Sequence, residues 1–204
     1  MLYLIITTSI TSKYDRYDYE HRKQRYINCI NRAIELCKNT NIKLIVVENN
    51  GKRDTFLDDL DCMVIYTNNN ESTRAHKGVT ELDDIKTVIN TLNITDDDYI
   101  IKLTGRYLLL NNNFINICIK EEYEAYVKFF NVATKQFMFN DCVLGLFCIK
   151  CKYIRHFNYQ CIGQSPEVEF ATHVKKSVEN TKILEITDLN LECCFAINNT
   201  FLIV

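Results

Sequence analysis

The strongest constraint on this chain is an alternation that runs through its first half. Apolar runs too short for anything but strands are separated by longer segments whose apolar residues recur at spacings of three and four. The runs are residues 2–8 (LYLIITT), 42–49 (IKLIVVEN), 62–67 (CMVIYT) and 97–104 (DDYIIKLT), rich in β-branched and aromatic side chains. Between the first two lies 22–38, where Tyr26, Ile27, Ile30, Ala33, Ile34 and Cys37 make one apolar helical face. Between the last two lies 79–92, with Leu82, Ile85, Val88, Ile89 and Leu92 on one face. The order is β-α-β-β-α-β. Strands apolar on both faces and interleaved with helices call for a mostly parallel sheet inside an α/β layer.

The second half is more mixed. Residues 123–130 (YEAYVKFF) and 143–154 (VLGLFCIKCKYI) read as strands, and 182–189 and 193–204 supply one or two more. A helix is expected from Ser165, with that serine as N-cap, Pro166 at the first helical position and acids in the first turn. No repeat, low-complexity block or linker divides the chain, so one domain over 1–204 is expected.

Composition sets limits on function. The chain has 204 residues and a formal charge of −2, with 47% hydrophobic and 25% charged residues. That balance is ordinary for a globular protein and lacks the basic excess of a nucleic-acid binder. No run reaches the ~18 apolar residues of a membrane span. The start, MLYLIITTSITSK, has no basic n-region or small-residue cleavage site and reads as a strand. The 10 cysteines sit among apolar neighbours, which fits buried thiols in a reducing, cytoplasmic setting. Cys148 and Cys151 form one C-x-x-C without a second pair at metal spacing, so buried thiols are expected there rather than zinc.

Candidate site residues follow from where the strands end. In open α/β sheets, ligands bind beyond the carboxyl ends of the strands. Here those ends are Thr7, Thr8 and Ser9; Glu48, Asn49 and Asn50; Asn68 to Asn70; and Thr104, Gly105 and Arg106. Small polar groups of this kind suit a nucleotide, and Arg106 with Lys77 suits its phosphates; turn residues are polar for purely local reasons too. Strand alternation puts Lys102, Thr104 and Arg106 on one face. Lys77 and Gly78 stand just before a helix, with Glu81 expected in its first turn, either as part of an anion site or as a capping arrangement. The acids Asp96, Asp97 and Asp98 precede their strand, at the opposite end from this rim. They read as a solvated turn rather than a metal-binding Asp-x-Asp.

The segments LIITTSI, IVVENNG, VIYTNNN, HKGVTELDDI and DDDYIIKLTGRYLLLNNNF, in this order, resemble small glycosyltransferase-like proteins of GT-A type from bacteria and large DNA viruses. Those carry a Lys-Gly-x-x-Glu and a Lys-x-(Thr/Ser)-Gly-Arg-Tyr segment, matched here by Lys77, Gly78 and Glu81 and by Lys102, Thr104, Gly105, Arg106 and Tyr107. The likeness covers about residues 1–115, and SPEVEFATHVKK resembles a late Glu-bearing helix of the group. It implies a nucleotide-binding half over about 1–115 and an acceptor and catalytic half over about 116–204. The donor would be a nucleotide-diphospho-sugar, bound through Thr7, Thr8, Ser9, Glu48, Asn49, Lys77, Glu81, Lys102, Thr104, Gly105 and Arg106. The acceptor would be a hydroxyl of a glycan or lipid-linked molecule.

The chain departs from well-studied GT-A enzymes where Asp-x-Asp is expected, because Thr104-Gly105-Arg106 stands there. A cation, Arg106 first and Lys102 second, could neutralise a departing diphosphate in place of a metal, so no resident cofactor is expected. An inverting transfer needs a carboxylate base. Glu167, on the inward face of the late helix with Phe170 and Ala171, is the first candidate and Glu169 the second. Both could instead only favour the helix amino end. Asp141 is a candidate acceptor contact or a β-turn aspartate, and His76 a candidate neighbour. A nucleotidyltransferase and a binding module without chemistry remain as alternatives.

Overall fold

The computed structural model describes residues 1–11, 19–51, 53–71, 77–160, 162–194 and 201–204. In chain order the elements are β1 (Leu2–Thr8), α1 (Tyr19–Cys37), β2 (Ile42–Glu48), β3 (Met63–Tyr66), α2 (Lys77–Thr91), β4 (Tyr99–Thr104), β5 (Leu108–Leu109), α3 (Asn113–Lys120), β6 (Ala125–Val127), β7 (Leu146–Lys150), α4 (Cys151–Arg155), α5 (Pro166–Ser177), β8 (Ile183–Glu185), β9 (Leu191–Cys194) and β10 (Phe201–Ile203). Seven strands form one sheet in the order β3-β2-β1-β4-β7-β6-β8, and β10, β9 and β5 form a small antiparallel sheet. In the large sheet only β7 runs against its neighbours, so the sheet is mixed and mostly parallel, flanked by helices. This is a GT-A-like α/β architecture.

The apolar runs are continuous because both faces of the sheet are covered. Leu4, Ile6, Val46, Ile101 and Leu103 pack under α1, α3 and the small sheet. Their alternates Tyr3, Ile5, Ile45, Val47 and Ile100 pack under α2, α4 and α5. No described helix is long and apolar enough to cross a membrane.

The first half forms as its periodicity requires, and the second half departs in three places. The expected strand over 143–154 ends at Lys150, and residues from Cys151 turn into α4. The reason lies in β4, which begins at Tyr99 opposite Lys150 and so offers nothing to pair with beyond it. Instead Cys151 N donates to Asp98 O at 2.8 Å, and Arg155 Nε donates to Asp96 at 2.7 Å. The acidic turn therefore anchors α4 at the amino end of β4. The strand expected over 123–130 is regular only at Ala125–Val127. Helix α3 and strand β5 are elements that the sequence patterns did not announce. The helix has eight residues, with Phe114, Ile115 and Cys118 inward, too few for a clear period.

Cys148 lies under the α1 face and Cys151 under the α2 face, so the sheet separates the two thiols. All nine described cysteines are free. Burial pushes the Cys29 and Cys193 thiols up to about 12.

Chain order puts β2 and β3 on one side of β1 and β4 on the other. The sheet therefore reverses its winding between β1 and β4, which is where a crevice opens in such folds. There Thr7 faces Thr104 in register, and Gly105 N donates to Thr7 O at 2.9 Å. A Cβ on Gly105 would stand 2.8 Å from Thr8 Cγ2 and 3.0 Å from Thr7 O. Gly105→Ala is expected to cost about 1–3 kcal/mol through overpacking and to lower Tm by about 3–10 °C, read by thermal unfolding. An unchanged Tm would mean the two strand ends can part freely.

Candidate active site at the end of the fourth strand

A cavity of about 480 Å3 opens beside this crevice, on the side of β4 that faces the start of β7. Its floor comes from Lys102 and Thr104 on β4, with Arg106 and Tyr107 just beyond the strand. Because β7 runs antiparallel, its start lies at the same edge, and Val143, Leu144 and Gly145 form a second wall. Lys77, Gly78 and Glu81 of α2 form a third, and Ser165 and Glu167 at the start of α5 a fourth. Two close approaches set this shape. A Cβ on Gly78 would lie 2.8 Å from Pro166 Cβ, so the starts of α2 and α5 abut. A Cβ on Gly145 would collide with Tyr107 Cε2, so the tyrosine ring fills the space that a side chain would take.

Lys102 is 2% exposed and stands in the middle of the sheet. Its ammonium has three protons and three partners: Glu81 Oε2 at 2.6 Å, Thr104 Oγ1 at 2.5 Å and Leu144 O at 2.8 Å. This satisfies the geometry a buried charge needs. Glu81 thus lies one turn into α2, where it balances Lys102, and not in the first turn as expected. Lys77 and Gly78 likewise belong to the helix rather than preceding it.

Arg106 and Glu167 differ from this pair. Both face the cavity, and among the described residues neither charged group makes a hydrogen bond or ion pair. Lys77 stands near Arg106. Desolvation first, then repulsion from Arg106 and Arg22, lowers its amine to about 8, with Glu81 pulling the other way. Lys77 stays open to solvent. Lys77 and Arg106 thus bring two cations to the same cavity.

The other candidates are held elsewhere. Thr8 Oγ1 donates to Glu48 Oε2 at 2.7 Å, and Glu48 also accepts from Ile10 N and Asn50 N, each at 3.1 Å. Thr7, Thr8, Glu48 and Asn49 are buried. Ser9 O accepts from Arg22 Nε at 2.8 Å, and Ser9 N donates to Tyr26 Oη at 3.1 Å. Thr8 and Glu48 tie the ends of β1 and β2 together, and none of these residues lines the cavity. Glu169 accepts from Gln160 N at 2.7 Å and also stands outside it. Asp141 lines the cavity, but its oxygens are engaged by Asn131 Nδ2 at 2.6 Å and Cys142 N at 2.7 Å, so it also clamps the loop 131–141. His76 lies outside the described residues.

The sequence reading missed two groups. Arg22 is 6% exposed and was legible in principle, because it precedes Tyr26 by four on the inward face of α1. Asp84 is fully buried and accepts from Thr67 Oγ1 at 2.7 Å, Asn69 Nδ2 at 2.7 Å and Asn49 Nδ2 at 2.9 Å. It gathers the ends of β2 and β3, and nothing in its helical pattern distinguished it from Asp83.

Thr104 Oγ1 already accepts from Lys102, Gly105 has no side chain, and Arg106 is itself a cation. Among the described residues no group of three His, Cys, Asp or Glu is placed to hold a metal.

No family model matches the chain, and no curated protein matches its sequence. Solved structures do match its fold. The galactosyltransferase LgtC, solved with donor and acceptor sugar analogs, superposes with TM-score 0.54 at 8% identity, over 90% of this chain and 73% of that one. CMP:2-keto-3-deoxy-manno-octonic acid synthetase, complexed with CTP, gives 0.54 at 10% identity over 91% and 89%. 4-Diphosphocytidyl-2C-methyl-D-erythritol synthase gives 0.55 at 12% identity over 98% and 92%. The chain thus has the fold shared by nucleotide-diphospho-sugar transferases and nucleotidyltransferases.

Two variants test the electrostatics. Lys102→Met strands Glu81, which is about a quarter exposed, so the loss should fall at the low end for a broken buried pair, about 3 kcal/mol. Adding Glu81→Gln should restore part of it in a double-mutant cycle; additive losses would show that the pair is not coupled. For Asp84, burial outweighs its three hydrogen bonds and raises the carboxyl to about 7. Between the unfolded value near 4 and that value, the native state holds a proton the unfolded chain has released. Its contribution is therefore full below about 4 and is lost as pH rises toward 7. Asp84→Asn should gain on the wild type by at least about 1 kcal/mol between about pH 5 and pH 8 in urea titrations. A constant difference would contradict the buried-carboxyl account.

Proposed function

We propose that the protein is a glycosyltransferase that moves a sugar from a nucleotide-diphospho-sugar to a hydroxyl of a glycan or lipid-linked acceptor. One observation carries this. Beyond the end of β4 in a nucleotide-sugar fold, a guanidinium (Arg106) and a carboxylate (Glu167) that make no hydrogen bond or ion pair among the described residues face the same cavity. Arg106 and Lys77 would hold the diphosphate, at the amino end of α2, where the helix dipole also favours anions. As the bond from sugar to phosphate breaks, charge builds on the leaving oxygen, and these fixed cations stabilise it. Lys102 carries its charge just below, and its pairing with Glu81 keeps it from closing the cavity. The nucleoside would lie over the ends of β1 and β2, on backbone held by Thr8, Glu48 and Asn49.

Glu167 would take the proton from the acceptor hydroxyl, and in-line attack would invert the anomeric centre. Asp141 would contact the acceptor from the clamped loop. The charge on the diphosphate is met by side chains, so donor binding should not need a divalent cation.

The test is thermal unfolding with UDP, GDP, CDP and dTDP, each with EDTA or manganese. A ligand at about a hundred times its Kd adds about 2.7 kcal/mol, or about 5–10 °C at this length. One diphosphate should give that shift in EDTA, and Arg106→Ala should abolish it. Glu167→Gln should keep the shift while slowing transfer by about 10²–10⁴-fold. A shift that needs manganese would overturn the cation assignment. Binding without turnover, unaffected by Glu167→Gln, would leave a binding module. Nucleotidyl transfer from a nucleoside triphosphate would favour the synthetases that share the fold.

A further inference from the structure

The loop 131–141 has two sides. Asn131, Val132 and Ala133 line the cavity. Phe137 and Phe139, a few residues on, are 60% and 69% exposed, which is unusual for phenylalanine. The loop is not loose. Asn131 bridges to Gln136, Asp141 holds Asn131, and Lys175 of α5 donates to Phe139 O while its ammonium lies 3.8 Å from the Phe129 ring centroid. The exposed aromatics are thus presented by a braced loop that is also a wall of the cavity.

Lysines predominate in the segments around them. Residues 128–140 and 170–178, brought together by the contact between Lys175 and Phe139, contain Lys128, Lys135, Lys175 and Lys176 and no acid, in a chain of net charge −2. Glu185 acts on Lys175 from the margin, and Lys128 reaches Thr187 O beside Asp188. Lys135 and Lys176 are exposed and form no ion pair among the described residues.

We infer that this basic, aromatic face docks on an anionic lipid surface, with Phe137 and Phe139 entering the interface and the lysines meeting the headgroups. Aromatic side chains favour the boundary between headgroups and acyl chains, and lysines near an anionic leaflet add electrostatic attraction. A protein partner fits less well, because a stable interface takes about 800 Å2 from each side, and two phenylalanines on one loop do not supply it. The same loop walls the cavity, so docking would bring the mouth of the site to the bilayer and favour an acceptor hydroxyl carried on a lipid. Only that last consequence rests on the transferase reading; the docking itself does not.

The experiment is co-sedimentation of the full chain with phosphatidylcholine vesicles, with or without about 30 mol% phosphatidylglycerol. The wild type should bind the anionic vesicles, at least about fivefold more weakly without the anionic lipid and more weakly in about 0.5 M salt. Phe137→Ser with Phe139→Ser should lower partitioning at least about tenfold. Lys135→Glu with Lys176→Glu, both at exposed positions, should do the same without touching packing. Met63→Ser, at a residue 53% exposed on the far edge strand, should change nothing. No wild-type binding, or equal binding by both double variants, would overturn the inference. So would a dimer that Phe137→Ser with Phe139→Ser dissolves while vesicles are ignored, which would assign the face to a second copy. The diphosphate-induced Tm shift, measured on the same variants without vesicles, should persist, so failure of docking and failure of the donor site are read separately.

Discussion

A buried ammonium in the central strand organises the active edge of this protein. Lys102 occupies a position where every neighbouring strand residue is apolar, and a charge there survives only if each proton has a partner. Its three partners come from three elements: Glu81 from α2, Thr104 from its own strand and Leu144 O from the approach to β7. The ammonium therefore fixes the position of α2 over the sheet and the distance between β4 and the segment entering β7. Those are two walls of the cavity. Removing the charge would leave Glu81 without its partner and the walls without their shared tether.

The remaining walls depend on the absence of side chains. Gly78 lets the start of α2 touch Pro166, and Gly145 leaves room for the Tyr107 ring. Both contacts are closer than any Cβ allows. The amino ends of two helices thus converge on one cavity, which makes it favourable for anions before any side chain is counted. Arg106 adds a full charge to that bias. Glu167 sits in the first turn of α5, one residue past Pro166, so the glycine contact that positions the helix also sets how far the carboxylate lies from the cations.

Polar residues at the ends of parallel strands have two duties, and the structure separates them. Thr8, Glu48, Asn49 and Asp84 are consumed in holding β1, β2 and β3 together, since buried strand ends must satisfy their own donors and acceptors. Thr104 and Arg106 lie on the other side of the winding reversal, where the cavity opens. Both sets look alike as sequence, because each is a short polar stretch after an apolar run.

Several features were determined by the sequence alone. Short apolar runs and a 3.6-residue period in the first half specify four strands and two helices, and runs apolar on both faces require a covered, mostly parallel sheet. The cap at Ser165–Pro166 is local chemistry and formed as written. Placing Lys102 and Thr104 on one side of β4 needed only its alternation, whereas Arg106 falls in the turn beyond the strand end. Tertiary structure decided which polar groups are spent on the fold and which remain available, because that depends on partners far apart in the chain: Lys102 with Glu81, Thr8 with Glu48, Asn49 with Asp84. It also ended β7 at Lys150, where β4 has no further residue to pair, and folded α3 from a segment too short to show a period. Glu167 and Glu169 are two residues apart and identical in chemistry. Helical phase already separates their directions, and the packing of α5 against Gly78 decides that Glu167 meets the cavity while Glu169 accepts from Gln160 N.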